Sequence, residues 1–285
     1  MTALQPTSSR LTARPHLFTR SAERLASGGE KGLTAVGSLS AMLLDASWST
    51  GEMVLRRRFS WAEFAEQAWF LISVSVLPTL LIAIPFGIVL VLEVGGLATS
   101  IGATSFVGAV DAVGTVREAA PIITALLLAG AGGSAICSDL GARTIRDEIA
   151  ALHVMGIDPI ERLVAPRLLA TVVVAVLLNG IVAMAGILSG YAAAVYMLHG
   201  SAGGFLNSFS AFSQPADLIE SELKAAFFGL IAGIVASYKG LGVKRGAAGV
   251  GEAVNQSVVI TGISLFLFNL LFTEIFLVLV PPRVL

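Results

Sequence analysis

Few residues of this 285-residue chain are arranged for covalent chemistry. The three histidines, His16, His153 and His199, are scattered, so no zinc-ligand spacing exists. No G-x-S-x-G turn is present to expose a serine nucleophile. None of Lys31, Lys224, Lys239 and Lys244 sits in a Walker-type glycine loop, so the chain has no nucleotide site of that kind. Any ATP-derived energy must come from elsewhere. Cys137 is the single cysteine and lies in an uncharged run, where it reads as a small apolar packing residue. What remains is charge. Arg117 and Glu118 precede one apolar stretch, and Glu220, Glu222 and Lys224 open another. Together they come closest to a polar catalytic cluster, but read more simply as an outer-rim set of salt bridges.

One segment is arranged for binding. From Thr144 to Met155 the spacing predicts a short helix with Ile145, Ile149 and Leu152 on one face. Gly156 would cap it, and Pro159 lies beyond. Arg146, Asp147 and Glu148 would sit at the edge of that face. The helix is either a docking element or a surface helix laying its apolar side on the rest of the fold.

The elements that must position these residues are membrane helices. Hydrophobic residues make up 55% of the chain and charged ones 13%, with mean hydropathy +0.86, against about 25% charged in a soluble domain. The net charge of -1 implies neither nucleic acid nor an acidic partner. Five stretches can cross a hydrocarbon core about 30 Å thick: 68–92, 119–138, 168–197, about 219–239, and 254–280. Pro78 and Pro85 should kink the first. The fourth has an uncharged core of only 14 residues, between Lys224 and Lys239, and its Glu220, Glu222 and Lys224 are expected to snorkel to one interface. The Gly, Ser and Thr content of 94–110 suggests a loop or re-entrant piece. Small-xxx-small spacing at Gly186/Gly190/Ala194 and Gly229/Gly233 would let helices approach closely.

Of the 18 Lys and Arg, all but Arg117, Lys224 and Arg283 fall on one side of such a map, which sets that side and the N-terminus as cytoplasmic. Residues 1–30, with Arg10, Arg14, Arg20 and Arg24, have no apolar run long enough for a signal peptide and read as a disordered cytosolic tail, with an organellar transit peptide as the alternative. Over 31–62, Leu33, Val36, Leu39, Met42 and Leu43 recur at helical spacing ahead of Arg56, Arg57, Arg58 and Trp61. That pattern suits an amphipathic helix lying on the inner leaflet. The fold class expected is therefore an all-α integral membrane protein, with about five transmembrane helices over 63–285.

Several blocks go further. Arg117, Glu118 and Pro121, then Ala129, Gly130, Gly133, Ser134 and Ala135, then Asp139, Leu140 and Gly141, then Val154 to Pro159, ending at Pro166 and Arg167, follow one another in order. A glycine-rich block, Tyr238 to Val258, opens the last span. In order and spacing these resemble the MlaE/YrbE permeases over about residues 55–280. The chain departs from the family pattern at Ala120, Ala131 and Asp139, where Gly, Arg and Glu are usual, and at Arg146, Asp147, Glu148 and Ala150.

The resemblance implies a subunit of an ABC-type lipid importer in the bacterial inner membrane, acting with MCE proteins and of the actinobacterial YrbE kind. The helix at 144–156 would be the coupling helix, gripping a cytosolic ATPase dimer through Arg146, Asp147, Glu148, Ile149, Leu152 and Met155. Arg117, Glu118, Glu220, Glu222 and Lys224 would form the outer rim beneath an MCE assembly. The lipid cavity would be walled by the first and last spans, at Leu77, Leu81, Phe266 and Leu270. The chain itself would bind no cofactor, ATP and Mg belonging to the ATPase, and its departures imply a heterodimer with a second permease. Fatty acids, mycolic-type lipids and sterols are candidate cargoes by family analogy. A membrane-embedded lipid-modifying enzyme and a structural membrane scaffold are the alternatives.

Overall fold

The computed structural model describes Gly37, Met42 and residues 60–279 apart from 101, 104, 105 and 245. The expected tail over 1–30 lies outside these residues, as does nearly all of the expected interfacial helix over 31–62. The helices described belong to the compact unit Met42–Leu285.

Helix α1, Trp61–Ser100, is a single 40-residue rod with Pro78 and Pro85 inside it. A second rod follows from α2, Val107–Asp111, through a π-helical turn at Ala112–Ala119, α3 at Ala120–Leu127, a second π-turn at Leu128–Gly133, and α4 at Ser134–Ile145. Where a loop or re-entrant piece was expected over 94–110, residues 94–100 close α1 and 107–110 open α2. Short helix α5, Glu148–Val154, leads to a π-turn at Ile160–Val164 and then α6, Ala165–Ala192, which ends in a π-turn at Ala193–Met197. Helix α7, Ala202–Phe212, caps that end, and α8, Pro215–Leu241, and α9, Ala247–Leu279, complete the fold.

Four of these rods, Trp61–Ala98, Val107–Ile145, Ile160–Met197 and Ala247–Phe276, are long and apolar enough to cross a membrane. Helix α8 is not one of these four, yet at 27 residues it has the length. The chain is an all-α, multi-pass membrane protein.

Burial is arranged for a lipid solvent. The fully buried positions are mostly small or β-branched, while Trp69, Leu77, Leu81, Met184, Leu188 and Leu270 are each more than 60% exposed. Lipid tails are as apolar as leucine, so helices associate through close packing and internal polar contacts instead. Gly229 and Gly233 provide the first of these. A Cβ on Gly229 would stand 2.7 Å from the Ala175 Cβ, and one on Gly233 would stand 2.5 Å from the Thr171 hydroxyl, so only glycine lets α8 cross α6 this closely. Gly186 and Gly190 do the same against the second rod, where Thr115 and the buried Asp111 occupy the space of the missing side chains.

Candidate functional site

Two charged clusters mark opposite ends of the bundle. One end carries α5 and the junction of α8 with α9, and the other carries α7 and the junction of α1 with α2. The first cluster lies about two turns inside the second end.

There the π-turn at Ala112–Ala119 widens the second rod and carries Arg117 and Glu118. Lys224 of α8 donates to Glu118 Oε1 at 3.1 Å and to the Arg117 carbonyl at 3.3 Å. It also lies 2.9 Å from Glu220 one turn earlier. Arg117 Nε is 2.9 Å from Glu220 Oε2, its guanidinium is 3.8 Å from Asp217, and it lies over the Phe276 ring at 5.3 Å. The Glu220 contacts have ion-pair distances without hydrogen-bond angles. Asn269 and Thr273 of α9 donate to Glu118 at 3.4 Å each. Asp217 also closes the capping box at the start of α8 by accepting from the Gln214 N–H.

Lys224 and Glu220 are wholly buried, so they do not snorkel. Opposite charges inside the protein serve them better than headgroups would, because the bonds are short and need no reach. Glu222 takes no part, pointing across to Asn179 and Gly180 of α6. Of the five rim residues expected from sequence, four meet in one network. Asp217, Asn269, Thr273 and Phe276 join it without having been expected there. The four-residue spacing of Glu220/Lys224 and of Asn269/Thr273 is the signal the sequence offers.

The second cluster gathers at the basic end. Asp139 Oδ2 accepts from Arg167 at 2.6 Å and from Arg143 at 3.2 Å. Glu148 lies 3.0 Å from Arg146 and 3.9 Å from Arg143. The predicted helix Thr144–Met155 is broken rather than continuous. Arg146 and Asp147 interrupt it, with Asp147 in the left-handed region at φ 59°, where aspartate is tolerated but most side chains are not. Gly156, at φ 73°, ends α5 as a Schellman cap, its N–H bonding the His153 carbonyl and that of Ile157 bonding Leu152.

The break also rotates the helix. Ile149 and Leu152 turn inward against a core that includes Leu71, Leu140, Leu163 and Val174. The apolar side chains left outward are Val154 at 89% exposure, Met155 at 63% and Ile157 at 41%. Beside them a cleft of about 430 Å³ opens between Glu63 and Glu66 of α1 and Glu148, Leu152 and Met155.

Leu77, Leu81, Phe266 and Leu270 are not assembled into one cavity within the chain. Each is at least 60% exposed on the outer face of its own helix. Phe266 lines a narrow apolar crevice with Ile122, Leu126, Leu265 and Asn269. No group of three His, Cys, Asp or Glu is placed to hold a metal among the described residues.

Residues 64–275 match the family described as "Permease MlaE". A probable ABC transporter permease protein of Synechocystis is 30% identical over 80% of this chain and 88% of its own. Another of Rickettsia felis is 32% identical over 61% of this chain and 67% of its own. The intermembrane phospholipid transport system permease protein MlaE of Haemophilus influenzae is 28% identical over 70% of this chain and 78% of its own.

Proposed function

Because this chain belongs to the MlaE permease family, we propose that it forms the membrane pathway of an ABC-type lipid transporter driven by a separate cytosolic ATPase. One observation carries the reading. In a chain with no nucleotide motif, Val154, Met155 and Ile157 stand out as an apolar tip at the basic end, on a helix tied by Glu148 and Arg143 to the membrane rods. Exposed apolar side chains beyond a membrane are most readily explained by a partner that covers them. The coupling face is then this tip, with Arg146, Asp147 and Glu148 at its edge, while Ile149 and Leu152 hold the helix down.

Lipid as the cargo is supported by the Haemophilus relative, whose name specifies phospholipid. The outward positions of Leu77, Leu81, Phe266 and Leu270 suit a cavity completed by a second permease subunit facing this one, a paralogue in a heterodimer. MCE proteins on the opposite side, and import as the direction, complete the reading. The chain binds no cofactor itself, ATP and Mg residing in the ATPase.

Reconstitution of the complex in liposomes tests this. Labelled lipid is expected to move only when ATP and the ATPase are both present; turnover of lipid by the purified chain alone would identify an enzyme instead.

On this reading the basic end, where α1 begins, faces the cytoplasm of a bacterial inner membrane, as its excess of Lys and Arg favours. Gly203 and Gly251 are exposed with open space at their Cα atoms, and native Cys137 is buried. An impermeant thiol reagent added to intact cells is expected to label Gly203→Cys and not Gly251→Cys. The reverse pattern would invert the topology.

A further inference from the structure

We infer that Asp139 and Arg167 are positioning residues that carry movement of α5 into the membrane rods, through the ion-pair chain Glu148–Arg143–Asp139–Arg167. The inference rests on the permease reading above and extends it to a specific path.

Three features support it. First, α5 is not a rigid continuation of α4, because the break at Arg146 and Asp147, with Asp147 at φ 59°, interrupts the backbone hydrogen-bond ladder. A push on the exposed tip therefore needs side chains to transmit it. Second, Glu148, the first residue of α5, is held by Arg146 at 3.0 Å and faces Arg143 at 3.9 Å, and Arg143 in turn grips both oxygens of Asp139 at 3.2 and 3.3 Å. Third, Asp139 shares its Oδ2 with Arg167, on α6, at 2.6 Å.

Arg167 is the unusual member. It is wholly buried, donates to the Leu163 carbonyl at 2.7 Å in the π-turn that leads into α6, and leaves its Nε without a partner. A guanidinium buried this deeply cannot be parted from its acid without leaving a charge uncompensated. The second rod and α6 are therefore locked together at this point and must shift as one. Since α6 packs along α1 and crosses α8 at Gly229 and Gly233, its displacement reaches the helices that surround the interior. The chain of contacts is a path with a stated physical link at each step, and coupling measurements decide whether it is used.

The test uses the reconstituted complex with its ATPase, measuring ATP hydrolysed and lipid moved in the same vesicles. Asp139→Asn is expected to keep the ATPase bound and hydrolysing, because the exposed tip is untouched, while lipid moved per ATP falls at least tenfold. Asp139→Glu keeps the charge and is expected to restore the ratio, which a merely space-filling role would not require. Normal lipid per ATP in Asp139→Asn, or no recovery in Asp139→Glu, overturns the inference. Where Asp139→Asn fails to accumulate, Arg143→Gln in the middle of the same chain decides: a lowered ratio with the ATPase still bound supports the relay and an unchanged ratio overturns it. If the unmodified complex holds no ATPase or moves no lipid, the permease reading itself fails and the relay falls with it.

Discussion

Val154→Asp is expected to release the ATPase from the detergent-solubilised complex and to abolish lipid transport, with the protein still inserted at normal abundance. The expectation follows from exposure. Val154 is 89% exposed and Met155 63%, so neither contributes to the fold, and a charge there costs the isolated chain little. In a complex the balance differs. Burying a valine and a methionine in a partner's groove is worth about 1.5–3 kcal/mol each before association costs. An aspartate at the centre of that contact forfeits the valine term and adds the penalty of a charge with no partner. A loss of about 3 kcal/mol corresponds to roughly a hundredfold in affinity. Ile149→Asp should behave differently, since Ile149 packs against the core, and the expected result is loss of the protein itself. Ala202→Asp, at the opposite end, should leave both ATPase and transport unchanged. Co-purification of the ATPase with Val154→Asp at unmodified levels would show that the tip is not the contact.

The contrast between Val154 and Ile149 shows where sequence reasoning stops. Helical periodicity places Ile145, Ile149 and Leu152 on one face, and such a stripe can face either a partner or the chain's own core. The break at Asp147 resets the phase of the helix and settles which. No residue type announces it, because aspartate enters the left-handed region without requiring glycine. The cap at Gly156 is legible, since glycine followed by a nearby proline is a strong stop. The π-turns are not. Yet Arg117 and Glu118 fall in one, Ala129, Gly130 and Gly133 in another, and Pro166 and Arg167 lie just beyond a third. These blocks of the family pattern thus coincide with places where the helix widens, and π-turns concentrate at functional positions. The membrane class is plain from composition and span length, because a bilayer demands long apolar helices. The long-range charge pairs are hidden, since Glu118 and Asp139 lie on a different rod from Lys224 and Arg167 and only packing brings them together.

Those pairs make the Arg117–Glu118–Glu220–Lys224 network an internal strut, and Lys224→Met should be strongly destabilising. Lys224 is wholly buried, with Glu118 at 3.1 Å and Glu220 at 2.9 Å. Removing its ammonium leaves Glu220 with Arg117 alone, and leaves Glu118 with only the long bonds from Asn269 and Thr273. Breaking one partner of a buried pair costs about 3–5 kcal/mol, whereas neutralising both partners is often tolerated. For a chain of this size that cost corresponds to a fall on the order of 10 °C in the unfolding midpoint. The double variant Lys224→Met/Glu118→Gln should recover most of the loss, because the amide oxygen introduced by the second substitution would still accept from Asn269 and Thr273 while no longer facing Glu220 as a like charge. Glu118→Lys has the opposite effect, setting a second ammonium beside Lys224. Partner loss in that variant would therefore report a damaged strut rather than a broken outer contact. Thermal unfolding in detergent, followed by retention of the monodisperse protein, separates the cases. An unfolding midpoint for Lys224→Met equal to that of the unmodified chain would mean that the buried charges are already neutralised by one another without the lysine.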